Sequence, residues 1–170
     1  GIRSLEDVSL LLEAGADKVS IGSAGISRPE LLAEISGEHG NQILVVSLDI
    51  KRGDTASGFL VTSHGGRQET GLDAMQWIEK VQELGAGELL INSIDADGTR
   101  AGFDLELIEK VRKISAVPII ASGGAGKVSD FVEAAQAGAD ALLAASVFHS
   151  GEISITTVKQ ALEDAGIEAR

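Results

Sequence analysis

The chain has no cysteine and no tyrosine, and only two prolines, one tryptophan and four phenylalanines in 170 residues. Without cysteine there is no disulfide, no thiolate metal site and no catalytic thiol. Basic residues are scarce as well: 14 Lys and Arg stand against 26 Asp and Glu, a formal charge of −12. Neutralising a nucleic-acid backbone needs a basic face, so no nucleic-acid partner is expected, while a small anionic ligand can still be held by backbone amides. Long apolar runs are also missing. The longest, Ile43 to Val46 and Ala141 to Ala145, fall far short of the roughly 20 residues that span a bilayer. No basic segment followed by an apolar core opens the chain, so no export signal is read and a cytoplasmic location is expected. The first residue is Gly1, and Gly1-Ile2-Arg3-Ser4 reads as a turn entering a helix, as if the chain started partway through a larger domain.

What is present is 44% hydrophobic residues and 21 glycines, the composition of one globular domain. A domain of this length buries roughly 70% of its unfolded surface. Ser4-Leu5-Glu6-Asp7 reads as an N-cap with an acidic first turn, and Leu5, Val8, Leu11 and Leu12 recur at helical spacing until Gly15. A short strand, Lys18 to Ile21, follows, then a helix from Ser27 to about Gly37 with Pro29 in its first turn. Gln42 to Asp49 is an almost unbroken aliphatic run, as expected of a parallel strand buried on both faces. Lys51 to Gly66 is a polar excursion with a short hairpin around Phe59-Leu60-Val61. Helix and strand then alternate: helix 72–84, strand 88–94, helix 104–114, strand 117–121, helix 128–137, strand 140–145 and helix 155–165. One leading helix and five strand–helix units predict an α/β fold built on right-handed crossovers and a parallel sheet.

The sequence also repeats itself. Gly15-Ala16-Asp17 falls on Gly138-Ala139-Asp140 at an offset of 123 residues (15 to 138), and without gaps Gly1 meets Gly124, Asp7 meets Asp130, Ala14 meets Ala137 and Ser23 meets Ser146. Two units of roughly 120 residues make a domain near the ~250 of a (β/α)8 barrel. The 170 residues then correspond to the C-terminal two-thirds of one barrel domain, running from about the third loop to the eighth helix, with the second half-barrel repeat starting near residue 41.

In such folds the chemistry sits at the carboxyl ends of the strands. Ser122-Gly123-Gly124-Ala125-Gly126 allows close backbone approach and leads into a helix, a setting for phosphate. Ala144-Ala145-Ser146 supplies a second small-residue edge, and the repeat predicts a partner site at Gly1 and Gly22-Ser23. Asp49 is a carboxylate at the end of an apolar strand, placed to exchange protons; the plainer reading is a loop cap or a pair with Lys51. Asp95 to Thr99 imitates a calcium loop, but Arg100 occupies the position where that loop requires glycine. His39, His64 and His149 lack the spacing of a metal site; His64, beside Gly65-Gly66, either reaches a ligand or lies on a surface loop. Met75 and Trp77 read as helix core.

The segments GADKVSI, GAGELLINSIDADGT, IIASGGAG and GADALLAASVFH, in this order and spread over the whole chain, resemble the cyclase subunit family of imidazole glycerol phosphate synthase. The resemblance implies a barrel enzyme of histidine biosynthesis, without a cofactor or metal, that takes ammonia from a separate glutaminase subunit and closes an imidazole ring on a phosphoribulosyl substrate. It implies that Asp49 is one of two acid/base aspartates and that Asn92, Asp97 and Ser122 line the mouth. It places one phosphate at Gly98, Gly124, Ala145 and Ser146 and the other at Gly1 and Ser23. Lys18 and Glu88 match two members of a charged ring that gates ammonia, and Asp17 faces the glutaminase. Gly22 stands where the family usually has Asn, a feature closer to the related phosphoribosyl isomerase of the same pathway. The family's other catalytic aspartate and the rest of the gating ring precede the segment matched here, so the chain alone is expected to be inactive or nearly so and prone to associate. A phosphate-binding assembly module without activity is the reading from a different class.

Overall fold

The computed structural model describes all 170 residues. Helix α1 (Leu5–Glu13) starts at Ser4, whose hydroxyl accepts from the Asp7 amide while the Asp7 carboxylate accepts from the Ser4 amide, so the capping box read from the sequence closes in both directions. Strand β1 (Val19–Ile21), the one-turn helix α2 (Ser23–Ser27) and helix α3 (Glu30–His39) follow. The apolar run becomes β2 (Leu44–Arg52), ending three residues later than expected because it continues past Asp49 into a hairpin, β3 (Phe59–Ser63) and β4 (Gln68–Asp73). β4 is a correction to the sequence reading: Gln68-Glu69-Thr70-Gly71 has no apolar alternation, and the segment is a strand only because β3 offers it an edge. Then come α4 (Ala74–Glu83), β5 (Glu88–Ser93), α5 (Leu105–Ile114), β6 (Ile119–Ser122), α6 (Val128–Gln136), β7 (Ala141–Leu143), the short α7 (Ser146–His149) and α8 (Ile155–Asp164).

Strands β1, β2, β5, β6 and β7 pair in that order and all in parallel, with the hairpin antiparallel to the far end of β2. β1 and β7 do not pair with each other, so the sheet is open. Burial alternates along β5: Leu89, Ile91 and Ser93 are buried, whereas Glu88, Leu90 and Asn92 are half-buried. The buried set faces the helices. Leu44, Val46, Leu48, Leu89, Ile91 and Ile119 form one core with Val8, Leu31, Ile35, Ile78, Leu107 and Val111 from α1, α3, α4 and α5. A smaller core joins α6 to α8, with Phe131 edge-on to Phe103 at 5.5 Å and beside Phe148 at 5.5 Å. Trp77 and Met75 pack into the main core from α4, as read from the sequence.

The other face carries the polar residues. Strand register aligns Asp49 with Asn92, Asn92 with Ser122 and Ser122 with Leu143, a row at the carboxyl edge. At the opposite edge Glu88 lies beside Val45, whose neighbour on β1 is Ser20. No helix of the chain is long and apolar enough to cross a membrane.

Candidate active site

Asp49 sits where β2 exchanges one neighbour for another. Below it β2 pairs with β1; from Asp49 onward the same edge pairs with β3, and the Thr62 hydroxyl donates to the Asp49 carbonyl at 2.8 Å. The Asp49 side chain is half-buried on the uncovered face, and Asn92 Nδ2 donates to its Oδ1 at 3.0 Å. Its other carboxylate oxygen has no hydrogen bond within the chain. The plainer reading of Asp49 fails on this geometry: Lys51 pairs with Glu69 across the hairpin at 2.6 Å, and Asp49 caps no turn.

At the end of the row a cavity of about 150 Å³ is walled by Asp97 and Gly98 from the β5–α5 loop, Ser122 and Gly124 after β6, and Ala145 and Ser146 after β7. Six residues singled out from three separate segments of the sequence thus converge. The glycines are required here. Gly123 and Gly124 have φ of 94° and 101°, and a Cβ on Gly124 would lie 2.1 Å from the carbonyl oxygen of Gly102. The Gly102 amide in turn donates to the Gly124 carbonyl at 2.9 Å, fastening the two loops together. The amides of Gly98, Gly123, Gly124 and Ala145 donate to nothing within the chain. Ahead of α6, the amides of Gly126 and Lys127 are taken by the buried Asp130 carboxylate at 2.8 and 2.9 Å. The amides of Val128 and Ser129 in the first turn of α6 donate to nothing within the chain, so donors remain for a ligand both in the loop and at the helix start.

The second predicted anion site is an open groove of about 540 Å³ that includes Gly1, Gly22, Ser23, Arg3, Arg28 and His64. His64 adopts φ of 55°, its amide donates to the Ser23 hydroxyl at 2.9 Å, and its Nδ1 lies 3.0 Å from the Ser63 hydroxyl. The β3–β4 turn therefore reaches across to the groove, and His64 is an exposed turn residue that also lines it. Arg3 and Arg28 were not singled out from the sequence; only their convergence in three dimensions marks them.

The remaining predicted residues lie at the amino edge. Lys18 is ion-paired with Glu88, across from Asp49 on the same face of the sheet. Asp17 is exposed in the turn before β1 and makes no hydrogen bond. Two interactions went unseen in the sequence. Arg52 and Lys110 flank the buried Phe59 ring at 4.8 and 5.0 Å, with Arg52 also bound to Asp104 and Glu106, so the hairpin is tied to α5. The Lys110 ammonium, with Arg52 beside it, holds the Glu106 carboxyl below the usual carboxylate range. Arg100 forms a two-pronged pair with Glu152.

A parallel sheet with helices on one face, and with its other face gathering polar side chains at the carboxyl edge between small-residue loops, is the arrangement of the (β/α)-barrel class. Residues 1–154 match the sequence model of the family described as histidine biosynthesis protein. Over its whole length the chain is 65% identical to imidazole glycerol phosphate synthase subunit HisF of Leifsonia xyli subsp. xyli, covering 67% of that protein. It is 59% identical to the HisF subunits of Beutenbergia cavernae and Thermobifida fusca, covering 68% of each. The chain belongs to the histidine biosynthesis protein family, in its imidazole glycerol phosphate synthase HisF branch.

Proposed function

We propose that this chain acts as the cyclase subunit of imidazole glycerol phosphate synthase, a lyase of histidine biosynthesis. It takes ammonia from a glutaminase subunit and converts a phosphoribulosyl formimino aminoimidazole carboxamide ribotide into imidazole glycerol phosphate and aminoimidazole carboxamide ribotide. The observation that carries the site assignment is the row from Asp49 through Asn92 to Ser122, which ends in the cavity of Gly98, Gly124, Ala145 and Ser146. One phosphate of the substrate is held by the loop amides of that cavity. The other is held at Gly1 and Ser23, so the molecule lies along the carboxyl edge over Asp49. Asn92 fixes one oxygen of Asp49 and leaves the second free to take a proton from the attacking nitrogen and return one as the carbon–nitrogen bond breaks. Asp97, on the cavity wall, orients the substrate beside it.

Ammonia enters from the opposite edge, past Lys18 and Glu88, and Asp17 meets the glutaminase there. A charged pair at this edge admits a small neutral molecule when the two side chains part. The open sheet needs further strands between β7 and β1 to close around the substrate. The chain therefore turns over only when complementing strands are supplied. The second reading, a phosphate-binding assembly module without turnover, is favoured by the unpaired outer edges of β1 and β7.

The experiment is ammonia-dependent turnover of the ribulosyl substrate, with the chain alone and then mixed with the front part of a complete cyclase subunit. Activity that appears only in the mixture, and falls about 10²–10⁴-fold in Asp49→Asn, is the expected result. Binding of the substrate without turnover in the mixture would establish the module instead.

A further inference from the structure

Arg100 is the one cation lining the cavity of Gly98, Gly124 and Ser146, a cavity whose wall also carries the Asp97 carboxylate. Its guanidinium is engaged by the far loop, where Nη1 and Nη2 donate to the two carboxylate oxygens of Glu152 at 2.9 and 3.0 Å. The pair spans 52 residues of sequence and bridges the β5–α5 loop, which walls the cavity, to the α7–α8 loop. The backbone under Arg100 is held fast: φ is 59°, in the left-handed region, and its carbonyl oxygen is packed so closely on Gly126 that a Cβ there would lie 2.1 Å away. Such strain persists only where the surroundings impose it, and it recurs at ligand clamps. The side chains themselves are 45% and 50% exposed. An exposed ion pair of this kind is weak, whereas an Arg–phosphate contact reproduces the same two-pronged geometry with a doubly charged partner.

We infer that Arg100 and Glu152 form a releasable clasp: an anion of the phosphate class entering the cavity takes the Arg100 guanidinium from Glu152, so Arg100 is a binding residue and Glu152 its competitor. This rests on the reading of the cavity as a phosphate subsite and adds to it a side-chain ligand and a gate. The loop amides of the site are neutral, and Asp97 repels an anion; Arg100 is the group that offsets both. Glu152 sets the threshold, because ligand affinity carries the cost of breaking the clasp.

The test is a titration of the isotope-labelled chain with inorganic phosphate, following the amide resonances of Gly98, Gly124 and Ala145, in the native chain and in Glu152→Gln, Arg100→Gln and the double variant. The clasp predicts that Glu152→Gln binds phosphate about three- to tenfold more tightly and Arg100→Gln about tenfold more weakly, an effect of the size of one charge-assisted hydrogen bond. In the double variant the gain from Glu152→Gln disappears. If phosphate shifts those amides but Glu152→Gln leaves its affinity unchanged, the clasp is wrong and the phosphate subsite stands. If phosphate moves none of the three amides in any of the four proteins, the subsite and the clasp fall together.

Discussion

Residues 1–27 and 124–150 share the same carboxylate cap and the same turn hydrogen bonds, yet they are embedded differently. In the first, Arg3 and Ser4 amides donate to Asp7 Oδ2 at 2.8 and 3.0 Å; in the second, 123 positions on, Gly126 and Lys127 amides donate to Asp130 Oδ2 at 2.8 and 2.9 Å. Ala16 donates to Leu11 as Ala139 donates to Ala134, and Gly15 and Gly138 have φ of 99° and 111°. The surroundings then diverge. The Asp130 residue is 2% exposed, while Asp7 is half-buried. Asp140 caps the Ile119 amide and pairs with Arg112 at 2.9 Å, while the side chain of its counterpart Asp17 makes no hydrogen bond or ion pair. Gly124 is pressed against Gly102, whereas nothing lies near Gly1. Equal local sequences thus give equal backbone, but the energy stored in each copy depends on what packs against it.

The comparison breaks most sharply at the capping aspartates. Asp130→Ala removes a buried carboxylate that holds two amides and should cost about 2–3 kcal/mol in urea unfolding, with Asp7→Ala costing less than half as much. Equal losses would mean that burial is not what separates the copies. Next come the turn glycines. Gly15→Ala forces a left-handed alanine, at about 1 kcal/mol. Gly138→Ala should cost about 2 kcal/mol, because its Cβ would also meet Arg112 Cγ at 2.7 Å, and Asp140 and the Ser115 carbonyl hold Arg112 in place. A thermal melt of the pair checks the gap.

The smallest effect is acid sensitivity. The Arg3 and Ser4 groups hold the Asp7 carboxyl below the usual carboxylate range, and Arg100, with help from Ser150, does so for Glu152. For Asp73, burial pushes the carboxyl up, but bonds from Ser57 and Gln76 outweigh it and the net direction is down. Groups depressed in the folded chain contribute stability above their unfolded values and lose it as pH falls through the folded ones. The melting temperature should therefore be level at neutral pH and fall below about pH 4, with a shallower fall in Asp7→Asn. No change in slope would remove Asp7 from the account.

How much of this was legible in the sequence varied with the range of the interaction. The α/β alternation, the Ser4 cap, the Gly15 and Gly138 turns and the small-residue loops are written within four or five neighbouring residues, and the structure has them where the pattern puts them. The β4 strand was not legible, because Gln68 to Gly71 carries no apolar stripe and borrows its conformation from β3. Arg100 drew notice only for spoiling a calcium-type loop; its role depends on Glu152, whose own segment gives no sign of it. That Asp130 would reach back to the Gly126 and Lys127 amides was not read either, because its spacing alone marks it only as a helix residue.

By itself the sequence determined the succession of elements, the caps and turns that bound them, and the membership of the family through four ordered segments. Those are decided by hydrogen bonds and side-chain spacing within a few residues, where the chain has little choice. Only the tertiary structure decided which groups meet: Asn92 with Asp49, His64 with Ser23, Lys18 with Glu88, and Arg100 with Glu152, partners 41 to 70 residues apart. Their chemistry would permit many pairings. Strand register and the crossover connections leave one, because a shift of a single residue along a strand moves every side chain to the opposite face.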